Sequence, residues 1–259
     1  MVKNMKYPNP KFTDMSIVTS TAIKESISDY YPNVYQAGGA QRLSLLKKAT
    51  NLDELIDFCI DGYRAWGDAV LMGAGAYLKI GDYPNEILEA KKYVKEEVYS
   101  YLTGNPFSSE LDYDKWHKEI CVNLADSTKY FNGYSAYRST AKDKFKNERG
   151  FTIGNAQKFL NMLMKNLYAC LSTDSTFLKN YEKYFAYCHM PLDSYILRFV
   201  DDIRYRGNNK KTARTYTWSN MNSYASYMEE QTNIRNYVKK YNPTVTVLQT
   251  EFVVWPLYK

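Results

Sequence analysis

Residues 150–167 read GFTIGNAQKFLNMLMKNL and contain the clearest helical pattern in the chain. A glycine-containing turn opens this helix and places Lys158 near its start. Backbone N–H groups at a helix start favour an anion such as a DNA phosphate, so we expect Gly154 and Asn155 to contact a DNA backbone. The apolar residues recur at intervals of three and four positions, as in a helix that faces a core: Leu160, Leu163, Met164 and Leu167.

The patterns on either side of this stretch predict a mainly α-helical chain. Residues 110–146 are predicted to hold one or two polar helices, and residues 68–80 a buried one. The stretch TVTVLQTEFVVWPLY at 244–258 alternates like a strand, so we expect a short C-terminal strand or an extended tail there. The other predicted helices cover residues 40–62, 83–102, 155–171, 177–188 and 220–240, with one more after Pro191.

The composition excludes several classes of protein. The 259 residues carry a formal net charge of +6, which is compatible with a polyanionic partner. No apolar run is long enough for a membrane helix, and the N-terminus lacks the apolar core of a signal peptide. Four cysteines without a CxxC pair, two histidines and the absence of a glycine-rich phosphate loop disfavour metals and nucleotide cofactors. We therefore expect a cytoplasmic protein with buried thiols, no cofactor, no metal and no membrane contact.

A second segment, MPLDSYILRF at 190–199, places Pro191 and Asp193 at the start of another helix. Together the two segments resemble the helix–hairpin–helix DNA glycosylases. In that superfamily a glycine hairpin leads into a helix that bears a lysine, and a later Pro-x-Asp segment carries an essential aspartate. Asp193 follows Lys158 by 35 positions, a spacing similar to that of the archaeal 8-oxoguanine glycosylase branch. The resemblance covers residues 150–200.

The resemblance implies a helical bundle of the DNA-glycosylase type with a divergent helix–hairpin–helix. It implies either a single helical domain over residues 1–259 or two helical lobes, at about 40–145 and 146–259, around a cleft. Residues 1–40 would form an N-terminal arm.

The hairpin departs from the pattern of the superfamily. Thr152 stands where the first hairpin glycine would be, and Lys158 then falls two positions later than the lysine of the superfamily. No cysteine cluster for an iron–sulfur centre follows. If Lys158 is displaced from the catalytic position, water would attack in its place and the enzyme would be monofunctional.

The resemblance also implies the catalytic roles. Asp193 would stabilise the positive charge that builds on the sugar and would orient or deprotonate the nucleophile. Lys158 would attack C1′ and form an imine, which permits strand cleavage after base loss. The expected partner is duplex DNA whose target base leaves the stack and enters a pocket.

The pocket and the DNA-backbone contacts are assigned by side-chain chemistry. Gln157 and Asn161 suit hydrogen bonds to a base edge, and Tyr195, Trp218 and Tyr216 suit stacking on the base. The basic loop at 204–216 suits phosphate contact, or it is simply a solvated loop. Its candidate phosphate ligands are Arg204, Arg206, Lys210 and Lys211.

Each candidate also has an ordinary structural interpretation. Asp193 suits a plain helix cap, and Lys158 suits a solvated helix position. His189 is expected to be packed or hydrogen-bonded, and His117, in the polar stretch DKWHKE, is expected at the surface.

Two classes of function follow from the sequence. One is a DNA glycosylase, with or without AP-lyase activity, that excises 8-oxoguanine or a phage-modified base in repair or antiviral defence. The other is a non-catalytic helical module of a defence system that binds nucleic acid or protein.

Overall fold

Most of the described chain folds into α-helices, as the sequence predicts. The structure is a computed structural model, and it describes residues 14–30, 49–62, 65–72, 76–78, 84–131, 136–137, 151–172, 180–204 and 216–259.

The helices predicted at 83–102 and 155–171 form, with bounds within two residues of the prediction. Helix α1 continues into a π-helical turn at Ser26–Tyr30, and α2 into one at Phe58–Gly62. The helices are α1 (Ser20–Glu25), α2 (Leu52–Asp57), α3 (Ala65–Val70), α4 (Pro84–Thr103), α5 (Glu110–Ala125), α6 (Ile153–Ser172), α7 (Ser194–Arg204), α8 (Tyr224–Tyr241) and α9 (Val247–Tyr258). Single 3₁₀ turns form at Met15–Ile17, Glu182–Phe185 and Trp218–Asn220.

A small antiparallel sheet follows α3. Strand β1 (Leu71–Met72) pairs with β2 (Ala76–Leu78), and β2 pairs with β3 (Ala136–Tyr137). The prediction of one buried helix over 68–80 is therefore wrong, because helix α3 ends at Val70 and strands follow. A short apolar run of this kind fits a strand as well as a buried helix, and its periodicity does not separate the two.

Helix α6 lies at the centre of the described core. Every residue from Ile153 to Leu171 is buried. Helices α3 and α5 pack on one part of it, and α8 and the Trp218–Asn220 turn pack on others. Trp66 of α3 shows the tightness of this packing, since its ring meets Phe159 edge-on at 5.2 Å and stacks on Phe151 at 5.6 Å. The four cysteines are buried thiols, as predicted.

The C-terminal segment is helix α9, and the predicted strand or extended tail is wrong. Thr246 and Gln249 form a capping box that satisfies the first N–H groups of the helix. The helix packs against α7, α8 and α1, so most of its residues are buried. A segment that is apolar on nearly every side shows no helical period, and its β-branched residues then imitate a strand.

The start of α6 approaches the Trp218–Asn220 turn so closely that only glycine fits at position 154. A Cβ there would lie 1.7 Å from the carbonyl oxygen of Trp218. We expect Gly154→Ala to lower the free energy of unfolding by about 3 kcal/mol, because the backbone must move to admit the methyl group.

Urea denaturation measures this loss. Gly104→Ala is the matched control, because its new Cβ would lie 3.0 Å from the Ser100 oxygen at a helix end. Equal losses in the two variants would contradict the close approach at Gly154.

Candidate functional site

The structure brings the two predicted catalytic residues together. Lys158 lies in the second turn of α6, and Asp193 precedes α7. The Lys158 ammonium donates to Asp193 Oδ2 at 2.9 Å. Their side chains are 5% and 12% exposed, so this is a buried ion pair with little contact with solvent. The interpretation of Lys158 as a solvated residue is therefore wrong.

Asp193 uses both carboxylate oxygens. Oδ1 accepts the backbone N–H groups of Tyr195 and Ile196, each at 2.9 Å, so Asp193 caps α7. Oδ2 accepts the indole N–H of Trp255 at 2.8 Å as well as the Lys158 ammonium. Burial tends to raise the pKa of Asp193, but the charge of Lys158 and these hydrogen bonds outweigh it and hold the pKa below its usual value. The carboxylate is thus ionised, and the cap and the ion pair coexist.

A second buried ion pair lies beside the first. Lys165, two turns further along α6, is 2.5 Å from Glu251 of α9, and both side chains are 1% exposed. Lys165 also lies over the rings of Phe252 and Trp255, at 5.2 and 5.8 Å. Burial lowers the pKa of Lys165 and raises that of Glu251, and each partner opposes the shift of the other. We call Lys158, Asp193, Lys165 and Glu251 the charged cluster.

The segment that carries Asp193 has no regular secondary structure and is held by two glutamine side chains. Gln157 of α6 accepts the Leu192 N–H at 3.1 Å and donates to the Leu192 carbonyl at 3.0 Å. Gln231 of α8 does the same for Met190, at 3.2 and 2.7 Å. Each amide pairs with the backbone as a neighbouring strand would. We call residues 189–193 the tethered segment.

The two residues predicted to bind a base edge therefore have structural partners. Gln157 and Asn161 are fully buried. Asn161 donates to Gln157 Oε1 at 3.1 Å and to the Tyr227 hydroxyl at 2.8 Å, and its own oxygen is 3.0 Å from His117 Nε2. Base binding by these amides stays a prediction that would require these hydrogen bonds to be exchanged.

A chain of polar side chains, which the sequence reasoning missed, lies behind the tethered segment. Arg235 of α8 donates two hydrogen bonds to Asp114 of α5, both at 2.7 Å. His189 Nε2 lies 2.7 Å from Asp114 Oδ1, and His189 Nδ1 lies 2.7 Å from the Tyr227 hydroxyl. His189 is thus a hydrogen-bonded core histidine, as predicted.

His117 lies in the same cluster and is fully buried, so its predicted surface position is wrong. Its ring stacks on Tyr227 at 5.2 Å and faces His189 at 4.4 Å. The polar neighbours in the sequence concealed this, because His117 stands on the inner face of α5 with Tyr113, Ile120 and Cys121. The spacing of three and four residues between these positions was the available signal.

The start of α6, where a phosphate contact is predicted, has hydrogen-bond partners within the protein, so phosphate contact by Gly154 and Asn155 stays a prediction that would require these bonds to be exchanged. The Gly154 N–H donates to the Met221 carbonyl at 2.9 Å. Asn155 and Thr152 cap each other, and the Asn155 amide donates to the Ala69 carbonyl at 2.7 Å. The protein's own groups thus occupy the positions that an anion would take.

The remaining candidates are dispersed, and some lie outside the described residues. Arg204 donates to Glu229 and Glu230, at 3.1 and 2.9 Å, and the Tyr216 hydroxyl donates to Glu230. Trp218 is buried and packs over the start of α6, whereas Tyr195 is half-buried against Trp255. Arg206, Lys210 and Lys211 lie outside the described residues.

Comparison of the chain with protein-family models, with curated proteins and with solved structures finds no match. Within the described ranges, no helix is long and apolar enough to span a membrane. No group of three or more metal-ligating side chains forms among the same residues.

The Lys158–Asp193 pair predicts a strongly coupled double-mutant cycle. Lys158→Met leaves a buried carboxylate without its cation and should cost about 3–5 kcal/mol of unfolding free energy. Asp193→Asn in the same chain removes the unpaired charge and keeps the cap through the amide oxygen, although it loses the acceptor for the Trp255 N–H, so the double variant should recover part of that loss.

Urea denaturation of the four proteins measures the coupling. Lys95→Met is the control, since Lys95 pairs with Asp53 and Asp57 in partly exposed positions and should cost no more than about 1 kcal/mol. Additive losses for Lys158 and Asp193 would contradict the coupling.

The pKa of His189 makes stability depend on pH. Burial and the charge of Arg235 lower it from 6.5 to about 4, although Asp114 opposes the shift. Between these values the unfolded chain binds the proton and the folded protein does not, so stability falls as the pH drops from about 6.5 to about 4. We expect His189 to contribute a loss of about 2 kcal/mol between pH 7 and pH 5.

Unfolding curves at a series of pH values test this. His189→Gln should flatten the pH dependence in that window, whatever its effect at pH 7. The pKa of His117 is also lowered, chiefly by burial, so His117 accounts for the pH dependence of stability that remains in this variant. Parallel curves for the variant and the native protein would exclude a neutral, buried His189.

Proposed function

We propose that this protein is a DNA N-glycosylase that excises a damaged or modified base, with Lys158 and Asp193 as its catalytic pair. One observation carries the proposal: the lysine and the aspartate that the resemblance singled out, 35 residues apart in the chain, meet at 2.9 Å. A sequence motif alone does not require the two side chains to touch.

The energetic cost of the charged cluster supports the proposal. Desolvating a charged side chain costs several kcal/mol, and apolar residues of similar volume often stabilise a core as well or better. The charged cluster places two such pairs side by side on α6. A carboxylate kept ionised in a weakly hydrated interior is suited to stabilising the positive charge that develops on a sugar as its glycosidic bond breaks.

The proposed reaction uses the proton that Lys158 and Asp193 share. The Lys158 ammonium gives a proton to Asp193, and the neutral amine attacks C1′ of the flipped nucleotide. The bond between C1′ and the base nitrogen breaks, the base leaves with the electron pair and takes up the proton from Asp193, and the carboxylate is ionised again as positive charge develops on the sugar. Opening of the sugar then gives an imine between Lys158 and C1′. If Lys158 stays protonated, water attacks C1′ with Asp193 as base, and the enzyme is monofunctional.

The substrate that we propose is an oxidised guanine such as 8-oxoguanine, or a modified base of phage DNA. The protein would then act in base-excision repair or in antiviral defence, in the cytoplasm. Base flipping brings C1′ to the enzyme in either case.

The burial of the Lys158–Asp193 pair favours a second candidate function, a non-catalytic helical module that binds nucleic acid or protein. All four hydrogen bonds to Asp193 come from the protein, and its side chain is 12% exposed. In that case the charged cluster would fix the core and take no part in chemistry.

Borohydride trapping separates the two candidates. The protein is incubated with duplexes that contain 8-oxoguanine, an abasic site or a hypermodified cytosine, and adducts and released bases are measured. We expect a covalent adduct that disappears in Lys158→Gln, and base release that falls at least 100-fold in Asp193→Asn. Lys95→Gln, a partly exposed lysine outside the charged cluster, should leave both unchanged.

Base release without an adduct would retain Asp193 and assign the attack to water. Absence of release from every duplex, with DNA binding intact and indifferent to Asp193→Asn, would replace the glycosylase with the non-catalytic module.

A further inference from the structure

The position of Asp193 depends on a segment with no helix or strand of its own to fix it. Residues 189–193 are fully or almost fully buried. The two glutamine amides hold the backbone at Met190 and Leu192, and the side chains of His189 and Asp193 hold its two ends. Only Pro191, which has no N–H to satisfy, lies between these contacts.

The His189 end is anchored to two helices at once. Asp114 is fixed by the two hydrogen bonds from Arg235. Burial tends to raise the pKa of Asp114, but His189 and Arg235 outweigh this effect and hold the pKa below its usual value. An ionised Asp114 accepts the Nε2–H of His189, although an Arg235 nitrogen also lies 2.8 Å from Nε2, and Nδ1 then accepts the Tyr227 O–H. We assign this tautomer from the hydrogen-bond pattern.

Tyr227 connects this anchor to the Asp193 end. Its hydroxyl donates to His189 and accepts from Asn161 at 2.8 Å. Asn161 also donates to Gln157 Oε1, the same atom that accepts the Leu192 N–H. A continuous series of hydrogen bonds therefore runs from His189, through Tyr227, Asn161 and Gln157, to the residue before Asp193.

We propose that Tyr227 is a positioning residue that sets where the Asp193 carboxylate meets Lys158 and Trp255. Its hydroxyl bonds both to a side chain of the tethered segment and to the series that holds Leu192. The consequence for catalysis rests on the proposed glycosylase function, whereas the consequence for the geometry of Asp193 does not. Displacing a catalytic group by about 1 Å lowers rates on the order of 100-fold.

Trp255 provides a measurement that needs no activity. Its indole N–H donates to the same oxygen of Asp193 that accepts from Lys158. An indole proton bonded to a carboxylate resonates downfield and exchanges slowly with solvent. The indole signals of the four tryptophans can be recorded on ¹⁵N-labelled protein, and Trp255→Phe identifies the one that belongs to Trp255.

Tyr227→Phe removes the hydroxyl and keeps the ring that stacks on His117. We expect the Trp255 indole signal to move upfield and its exchange to accelerate at least tenfold. Tyr101→Phe is the matched control, because it removes another buried tyrosine hydroxyl, one bonded to the Tyr184 carbonyl and outside the series of hydrogen bonds that holds Leu192, and should leave the signal in place. With an active enzyme, Tyr227→Phe should also slow adduct formation 10- to 100-fold without weakening DNA binding.

An unchanged Trp255 signal in Tyr227→Phe would overturn the proposal, and so would an equal change in Tyr101→Phe. A shifted signal in a protein with no glycosylase activity would support the positioning role and reject the proposed function. If Tyr227→Phe does not fold, amide exchange in the native protein decides: we expect slow exchange at Met190 and Leu192, and exchange as fast as in an open loop would refute the tether.

Discussion

The complete burial of helix α6 is the constraint on which the rest of the structure depends. A buried polar or charged side chain is costly unless it is paired, so each one on this helix requires a partner from another element. Three side-chain amides on α6 donate to backbone carbonyls: Asn155 to Ala69, Asn166 to Cys59 and Gln157 to Leu192. Lys158 forms an ion pair with Asp193, and Lys165 forms one with Glu251. Polar pairing, as well as apolar contact, thus determines where the surrounding elements lie.

This pairing connects the fold to the proposed chemistry. Asp193 caps α7, binds α6 through Lys158 and binds α9 through Trp255. One carboxylate therefore joins three helices, and its geometry is as well defined as their packing. Such preorganisation is what electrostatic stabilisation of a developing charge requires. The same network would serve equally to give a non-catalytic core a single arrangement.

The sequence predicted the elements whose pattern was periodic and missed those whose pattern was uniform. Helices α4 and α6 have apolar residues at helical spacing and were found within two residues. Helix α9 is apolar on nearly all sides, so its period was hidden. Gln157 and Asn161 were assigned to a base because amides hydrogen-bond well to base edges, and a sequence does not show that the backbone of another segment needs them. The roles of Lys158 and Asp193 were predicted from the resemblance of two segments to a known motif, whereas the Asp114–His189–Tyr227 chain joins distant positions that share no motif.

The dependence of α6 on partners far along the chain has a consequence for synthesis. Lys158 and Lys165 emerge from the ribosome well before Glu251 and Trp255 are made. Until α9 arrives, Lys165 lacks its carboxylate partner and the central helix has exposed apolar sides, so its final packing is delayed. The nascent chain would pass through a partly assembled intermediate of the kind that chaperones bind.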